Sequence, residues 1–456
     1  MSGLAVVLSG HGATVTGSDQ RESDTTRRLR DLGIKVEIGH RRENLPDVDL
    51  VVVSAAVPTD NPEVVAAAER RVPVIPRAEM LGRLMSSYKH RIAVAGTHGK
   101  TTTTSMTALV LIEAGLDPTV LVGGDLDEIN GNARLGRSDV VVAEACEAFS
   151  SFLHLRPSVA VITNVDADHL EHHGSLENIK DAFRRFLGQV DRGGCVIACG
   201  DDGQTRNTLS SLGEAQFRLV TYGAGEDVDL RAVDIDVDSP RASFSCCYRG
   251  EHLGRMSLGA PGMQNVLNAL AAAAVGIEQG VDFAAVQRAL ARYTGAARRF
   301  EILGEAAGVM VVDDYAHHPT EIAATLAAAR RGWRRRVVAV FQPHLYSRTR
   351  FLLNSFAESL ADADRVIVTD IYAAREKPID GVSAEQIVEA VNSNGLKRAE
   401  YIADKTQVAA HVLPDLRADD MVIVMGAGDI RVVGEQILGE LSGRPVGARR
   451  PEGTVK

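Results

Sequence analysis

The chain has 456 residues, 45% hydrophobic and 24% charged, which amounts to about three ordinary domains of packed protein and excludes a disordered polymer. A formal net charge of −10 argues against a general nucleic-acid or anionic-membrane binder, since either needs a basic surface. Five cysteines (Cys146, Cys195, Cys199, Cys246 and Cys247), two adjacent and none in a C-x-x-C pair, indicate neither a disulfide framework nor a structural zinc site. The longest apolar run, around residues 269–277, is too short to span a bilayer, and no basic segment followed by an apolar one opens the chain. A soluble, cytoplasmic protein is expected.

Many glycines beside few aromatics suit α/β domains with tight strand-to-helix turns. Residues 13–19 read as a strand ending in a turn, 22–32 as a helix stopped by Gly33, and 48–53 as a second strand. This alternation implies a parallel sheet. A second unit opens near His90 with a strand over 91–95, a loop over 96–100 and a helix over 101–114 closed by Gly115. Residues 140–143, 159–165 and 195–199 read as buried strands, 242–258 as a hairpin about Arg249-Gly250, and 264–279 as an alanine-rich helix. From about Arg298 strand and helix repeat, with strands over 309–313, 337–341, 366–369 and 421–425 and a Gly426-Ala-Gly-Asp-Ile430 turn before a last helix. That is a doubly wound sheet with ligands expected at the strands' carboxyl ends. The basic run 330–336 reads as a solvated helix end and loop, and the tail from Gly443 as disordered.

Gly96-Thr97-His98-Gly99-Lys100-Thr101-Thr102 lies between a predicted strand and a predicted helix. Backbone N–H groups of such a loop, with the helix N-terminus behind them, form an anion site to which Lys100 adds a charge. Thr101 is placed for a metal ion carried by the phosphates. The general Walker spacing would need glycine at Val94, so that pattern is not met, and the plainer alternative is a glycine turn with a surface lysine. The strand–loop–helix context favours phosphate binding. Glu144 ends the strand 140–143, where a carboxylate beside a phosphate loop holds Mg²⁺ or is an ordinary strand-end acid. His169, closing Asn164-Val-Asp-Ala-Asp-His169, either reaches the same metal region or is structural.

These motifs resemble the Mur ligases, which join amino acids to a UDP-linked muramic acid. The resemblance rests on the loop above and on Glu144-Ala-Cys-Glu147, Thr163-Asn-Val-Asp-Ala-Asp-His169, Gly295-Ala-Ala-Arg-Arg-Phe300, Val312-Asp-Asp-Tyr-Ala-His-His-Pro-Thr-Glu321, Phe341-Gln-Pro-His-Leu-Tyr-Ser-Arg-Thr349 and Gly426-Ala-Gly-Asp-Ile430. They fit best the member that adds a first L-alanine to UDP-N-acetylmuramate. The resemblance implies three α/β domains: a Rossmann-like UDP-sugar domain (1–88), a central P-loop ATPase-type parallel sheet (89–297), and a doubly wound Rossmann-like C-terminal domain (298–456) closing over ATP and the amino acid. It implies that Lys100 and the loop amides hold the ATP phosphates and that Thr101, Glu144 and His169 serve Mg²⁺. Asn265, Arg299 and Asp314 would contact the nucleotide, His344 and Arg348 would orient the amino acid and the reacting carboxylate, and Ser18, Asp19 and Ser54 would bind the UDP-sugar. Lys100, Glu144, His169 and His344 are then the expected catalytic set.

The chain departs from the family at three places. A Glu-Ala-Asp-Glu-Ser-Asp run reads here Glu144-Ala-Cys-Glu-Ala-Phe149, and Gln264 replaces a frequent histidine before Asn265. The family's opening strand and Gly-x-Gly-Gly-x-Gly turn are not found ahead of Met1-Ser-Gly3, so the first domain is expected to lack them, as a start placed too late would produce, and to bind the UDP-sugar weakly. The implied chemistry activates the muramoyl carboxylate as an acyl phosphate, which the alanine amine then attacks. Rival readings are a ligase that reattaches recycled murein peptide to the same sugar, a P-loop kinase, and a nucleotide-binding protein without turnover.

Overall fold

The computed structural model describes residues 1–393 and 398–443; the tail beyond Gly443 lies outside the described residues. The chain forms two compact units. The first comprises Met1–Ile235, Ser243–Gly259 and Gln264–Ala296, and the second Asp236–Ala242, Ala260–Met263 and the chain from Ala297. No helix among the described residues is long and apolar enough to cross a membrane.

The first unit opens with the helix Ser2–Gly10, whose Leu4 and Val7 are buried. Then come β1 (Thr16–Asp19), β2 (Lys35–Ile38), β3 (Val51–Val53) and β4 (Val74–Pro76). The sequence predicts one parallel sheet here. The pairs β1–β2 and β3–β4 are indeed parallel, but they form two separate two-stranded sheets. Side chains make the link instead: Ser18 Oγ on β1 donates to Glu63 Oε2 at 2.9 Å, at the start of the helix Pro62–Glu69.

A ten-stranded sheet follows, built from β5 (His90–Ala95), β6 (Thr119–Leu126), β7 (Gly131–Arg134), β8 (Val140–Glu144), β9 (Val159–Ile162), β10 (Cys195–Cys199), β11 (Arg218–Gly223), β12 (Leu230–Asp236), β13 (Ser243–Tyr248) and β14 (Glu251–Ser257), in the spatial order 14-13-12-11-10-9-5-8-6-7. Its centre is parallel, as expected, while β7 and the predicted hairpin β13–β14 add antiparallel pairs at the margins. The central strands are nearly continuous apolar runs because helices cover both faces. Ala93, Ala95, Val141, Ala143, Ala160, Ile162, Val196 and Ala198 share one core with Leu4, Val7 and the Phe152–Phe183–Phe186 cluster. Their alternation along each strand is the two-residue period of a sheet face.

The second unit holds a six-stranded sheet of β15 (Glu301–Ala306), β16 (Val309–Asp314), β17 (Arg336–Phe341), β18 (Arg365–Val368), β19 (Ala399–Tyr401) and β20 (Asp420–Met425), ordered 15-16-20-17-18-19. Only β15 is antiparallel. Met310, Val312, Val337, Ala339 and Phe341 point into one core and Val309, Val311, Val338 and Val340 into the other, as a sheet covered on both faces requires. The chain leaves β16 for β17, winds outward to β19, and returns through β20 between them. The loops after β16 and β17 therefore open at the point where strand order reverses.

Candidate active site

The parallel register decides what meets the glycine loop. Ala95 lies opposite Ile162 and Val94 opposite Glu144, so the ends of β8 and β9 flank the turn that leaves β5. From the β9 side, Asn164 Oδ1 accepts from His98 N (2.8 Å), and Asn164 Nδ2 and Thr163 Oγ1 both donate to His98 O (3.1 and 2.6 Å). His98 Nε2 lies 3.0 Å from Asp166 Oδ2. Gly96 has φ +137°, and a Cβ there would sit 1.9 Å from Thr163 Oγ1; Gly99 has φ +78°, and its Cβ would sit 2.5 Å from Asn268 Oδ1. Both glycines are thus required by backbone conformation and by close neighbours. The helix Lys100–Glu113 starts at this turn, so its first N–H groups face the loop.

Lys100 is not a surface lysine. Its Nζ donates to the carbonyls of Gly96 (2.6 Å) and Thr97 (2.8 Å) and to Glu147 Oε1 (3.1 Å). Burial works against its charge, but the carboxylates of Glu147 and Glu144 outweigh that and raise its pKa above the ordinary lysine value. Glu144 Oε2 accepts from Thr101 Oγ1 and from Gly123 N, both at 2.9 Å. Neighbouring Cys146 has its thiol pushed up to about 11, first by burial and then by the Glu147 carboxylate, so it stays protonated at neutral pH. His169, in a left-handed conformation (φ +53°), places Nε2 3.8 Å from Glu147 Oε1. Thr101, Glu144, Lys100, Glu147 and His169 therefore form one linked cluster. Thr101 and Glu144 supply adjacent hard oxygen donors, and Glu147 Oε2 is a buried oxygen that accepts no hydrogen bond. This oxygen-rich set fits Mg²⁺.

Asn265 sits on the helix Met263–Glu278, where its Oδ1 accepts from Asn268 Nδ2 (3.3 Å), while Asn268 Oδ1 accepts from Thr103 Oγ1 (3.1 Å). In the second unit, Arg298 and Arg299 diverge. Arg298 donates to the carbonyls of Gly426 (2.6 Å) and Gly428 (3.1 Å), bracing that turn. Arg299 lies over the Tyr315 ring at 5.0 Å and 3.8 Å from Glu321. Asp314 is buried; its Oδ2 accepts from Phe300 N (2.9 Å) and Thr325 Oγ1 (3.1 Å), and its Oδ1 from Ala316 N (2.7 Å). Burial pushes its carboxyl up to about 6, against the pull of Arg299 and these amides. Through Phe300 N it fixes the backbone that carries Arg299.

His344 and Arg348 meet directly, Arg348 Nη1 donating to His344 Nδ1 at 3.1 Å, which leaves the ring proton on Nε2. The His344 ring stacks on Tyr372 and lies edge-on to His317, each at 5.8 Å. His317 and His344 lie in the loops after β16 and β17, at the strand-order reversal, while Arg348 is in the first turn of the helix Tyr346–Ser359 and Tyr372 follows β18. Ser18 and Ser54 lie at the carboxyl ends of β1 and β3, with Asp19 beside Ser18; Ser18 Oγ contacts His40 Nδ1 at 2.9 Å, Asp19 Oδ1 accepts from Arg21 N, and Ser54 Oγ from Ala56 N. Sequence reasoning assigned no role to Glu147, Thr163, Asn164, Asn268 or Arg298. For Glu147, Thr163 and Asn164 the available signal was polar side chains soon after buried strands, which is where α/β sheets bind ligands; Asn268, within a helix, and Arg298, ahead of β15, carried no such signal.

Three family descriptions match in succession: Mur ligase family, catalytic domain, over residues 1–89; Mur ligase middle domain over 94–276; and Mur ligase, glutamate ligase domain, over 298–428. The chain belongs to the Mur ligase family. A UDP-N-acetylmuramate–L-alanine ligase of Trichlorobacter lovleyi is 50% identical over 443 residues, 97% of this chain and 96% of the relative. The enzyme of that name from Geobacter sulfurreducens is 48% identical over 97% of this chain and 95% of the relative. Among solved structures, the UDP-N-acetylmuramate–alanine ligase of Thermotoga maritima superposes with a TM-score of 0.81 at 32% identity, covering 96% of both chains. A murein peptide ligase of Psychrobacter arcticus superposes at 0.71 with 26% identity, covering 97% of this chain and 96% of that one.

Proposed function

We propose that the protein is an ATP-dependent ligase that joins L-alanine to the carboxylate of UDP-N-acetylmuramate, releasing ADP and phosphate, in the synthesis of peptidoglycan precursors. The observation that carries this reading is a glycine loop with a buried lysine, beside a Thr101–Glu144 oxygen pair, in a chain half identical to an alanine ligase over nearly its full length. The murein peptide ligase has the lower identity and TM-score, which favours free alanine as the substrate.

In this reading the amides of residues 96–102 and Lys100 hold the ATP phosphates, while Asn265 and Arg299 contact the nucleotide. Asp314, expected at the nucleotide, is buried with both oxygens accepting within its own unit and acts instead by keeping Arg299 in place. Thr101, Glu144 and His169 would hold Mg²⁺; when bound, the ion neutralises charge developing on the transferred phosphoryl group. The muramoyl carboxylate oxygen attacks the γ-phosphorus and the bond to the bridging oxygen of ADP breaks, giving an acyl phosphate. The deprotonated amine of alanine attacks the acyl carbon, and phosphate leaves. No protein nucleophile is needed, because positioning and charge neutralisation supply the rate. Ser18, Asp19 and Ser54, at and beside strand carboxyl ends, bind the UDP-sugar.

The deciding measurement is ADP release with UDP-N-acetylmuramate and, in turn, L-alanine, glycine, L-serine and a murein tripeptide. Release with L-alanine well above the others is expected; release with the tripeptide alone would assign the peptide-recycling reaction. His344 and Arg348 orient the amino acid, so His344→Ala should raise the Michaelis constant for alanine by about tenfold or more, the loss of one good polar contact. ATP affinity should stay within about twofold. The reverse pattern would place His344 with the nucleotide.

A further inference from the structure

Glu147 is a buried charged group of the first unit to which the proposed chemistry assigns no step. It follows Glu144 by three residues and its side chain is 2% exposed. Lys100 Nζ donates to its Oε1, while Oε2, 2.9 Å from the same nitrogen, makes a charge contact without a directed hydrogen bond. The Glu147 backbone carbonyl faces His173 Nε2 at 3.2 Å, which anchors the segment. The three protons of Lys100 are therefore all in use, on Gly96 O, Thr97 O and Glu147. A phosphate arriving at the loop competes for Lys100 with Glu147 and the two loop carbonyls. Where Lys100 turns away from Glu147, the buried carboxylate keeps only the His169 ring, 3.8 Å from Oε1, next to a polyanion. Such a charge is costly, and like charges a few ångströms apart at low dielectric repel strongly.

We propose that Glu147 makes nucleotide binding at this loop conditional on a divalent cation, opposing a bare nucleoside di- or triphosphate and accepting the metal-bound one. The inference rests on the reading of the loop as the ATP site. Glu147 acts through Lys100 and through the local field, so it is a positioning and specificity residue. The same carboxylate that holds Lys100 folded onto its own loop becomes, once Lys100 turns to phosphate, a counter-charge for the ion held at Thr101 and Glu144.

Titration calorimetry of the whole protein with ADP, once in EDTA and once in Mg²⁺, reads the ratio of the two dissociation constants. In Glu147→Gln, metal-free ADP is expected to bind about tenfold or more tighter than in the unaltered protein, and the ratio to shrink accordingly. Glu147→Asp keeps the charge and should keep the ratio to within about threefold. A purely structural role would weaken both titrations together and leave the ratio alone. An unchanged ratio in Glu147→Gln, with Mg²⁺–ADP still bound, overturns the proposal while the nucleotide site stands. If the unaltered protein binds ADP under neither condition, the nucleotide reading falls and this inference with it.

Discussion

Lys100→Ala should lower ATP turnover by about 10²–10³-fold or more, the usual cost of losing a preorganised charge contact to a transferring phosphoryl group. A second consequence follows from the burial of its partner. Glu147, 2% exposed, would lose its ammonium partner and keep only the His169 ring, 3.8 Å away, and breaking such a buried pair by removing one member costs about 3–5 kcal/mol. The single variant should therefore unfold at lower denaturant. The double variant Lys100→Ala/Glu147→Gln should recover most of that stability and none of the turnover. ADP release and urea unfolding of the three proteins check both parts. Turnover near the unaltered rate in folded Lys100→Ala would remove Lys100 from the phosphate site.

Gly96→Ala should be as damaging by a different route. At φ +137° an alanine is strained, at about 1–3 kcal/mol, and its Cβ would overlap Thr163 Oγ1 at 1.9 Å and crowd the backbone N of Thr163 at 3.0 Å. Relief requires the loop to move away from β9, which breaks the contacts of Thr163 and Asn164 with His98. The anion-binding amides then lose their convergence. Turnover is expected to fall by about 10²-fold or more, since small misplacements of reacting groups cost that much, and the loss should appear in both ATP affinity and maximal rate. An alanine variant with normal ATP affinity would mean that the phosphates do not sit on this turn.

The helix stop at Gly33, the glycine loop ahead of Lys100 and the Arg249-Gly250 hairpin were legible because each depends on neighbours within a few residues: a C-cap, a positive φ, a tight turn. The continuous apolar runs of β5, β8, β9 and β10 likewise announced buried parallel strands. The margins were less legible. The segments that became β6, β7, β11, β12 and β15 carry polar and glycine residues, because edge and flanking strands bury only part of their surface, so their hydrophobic pattern is weak. The first stretch was read as one sheet from strand–helix alternation, yet alternation does not say which strands pair; β1–β2 and β3–β4 are separate.

For the site, residue types and local context sufficed to single out Lys100, Thr101, Glu144 and His169, since strand–loop–helix order places such groups at a sheet's carboxyl edge whatever the rest of the chain does; His344 and Arg348 were named only through the resemblance to the family. Which groups face one another was settled at long range. The register that sets Val94 beside Glu144 and Ala95 beside Ile162 joins residues some 50 to 67 positions apart, and a slip of one residue would turn Glu144 to the other face. That register, together with the segment that buries Glu147 behind β8, turns a lysine readable as a surface charge into one held by a hidden carboxylate. In the second unit Asp314, which the family resemblance placed at the nucleotide, is a buried brace for the backbone of Phe300. Local dihedral preferences and hydrophobic period act within a few residues; burial and the pairing of charges depend on contacts that exist only after distant strands have docked.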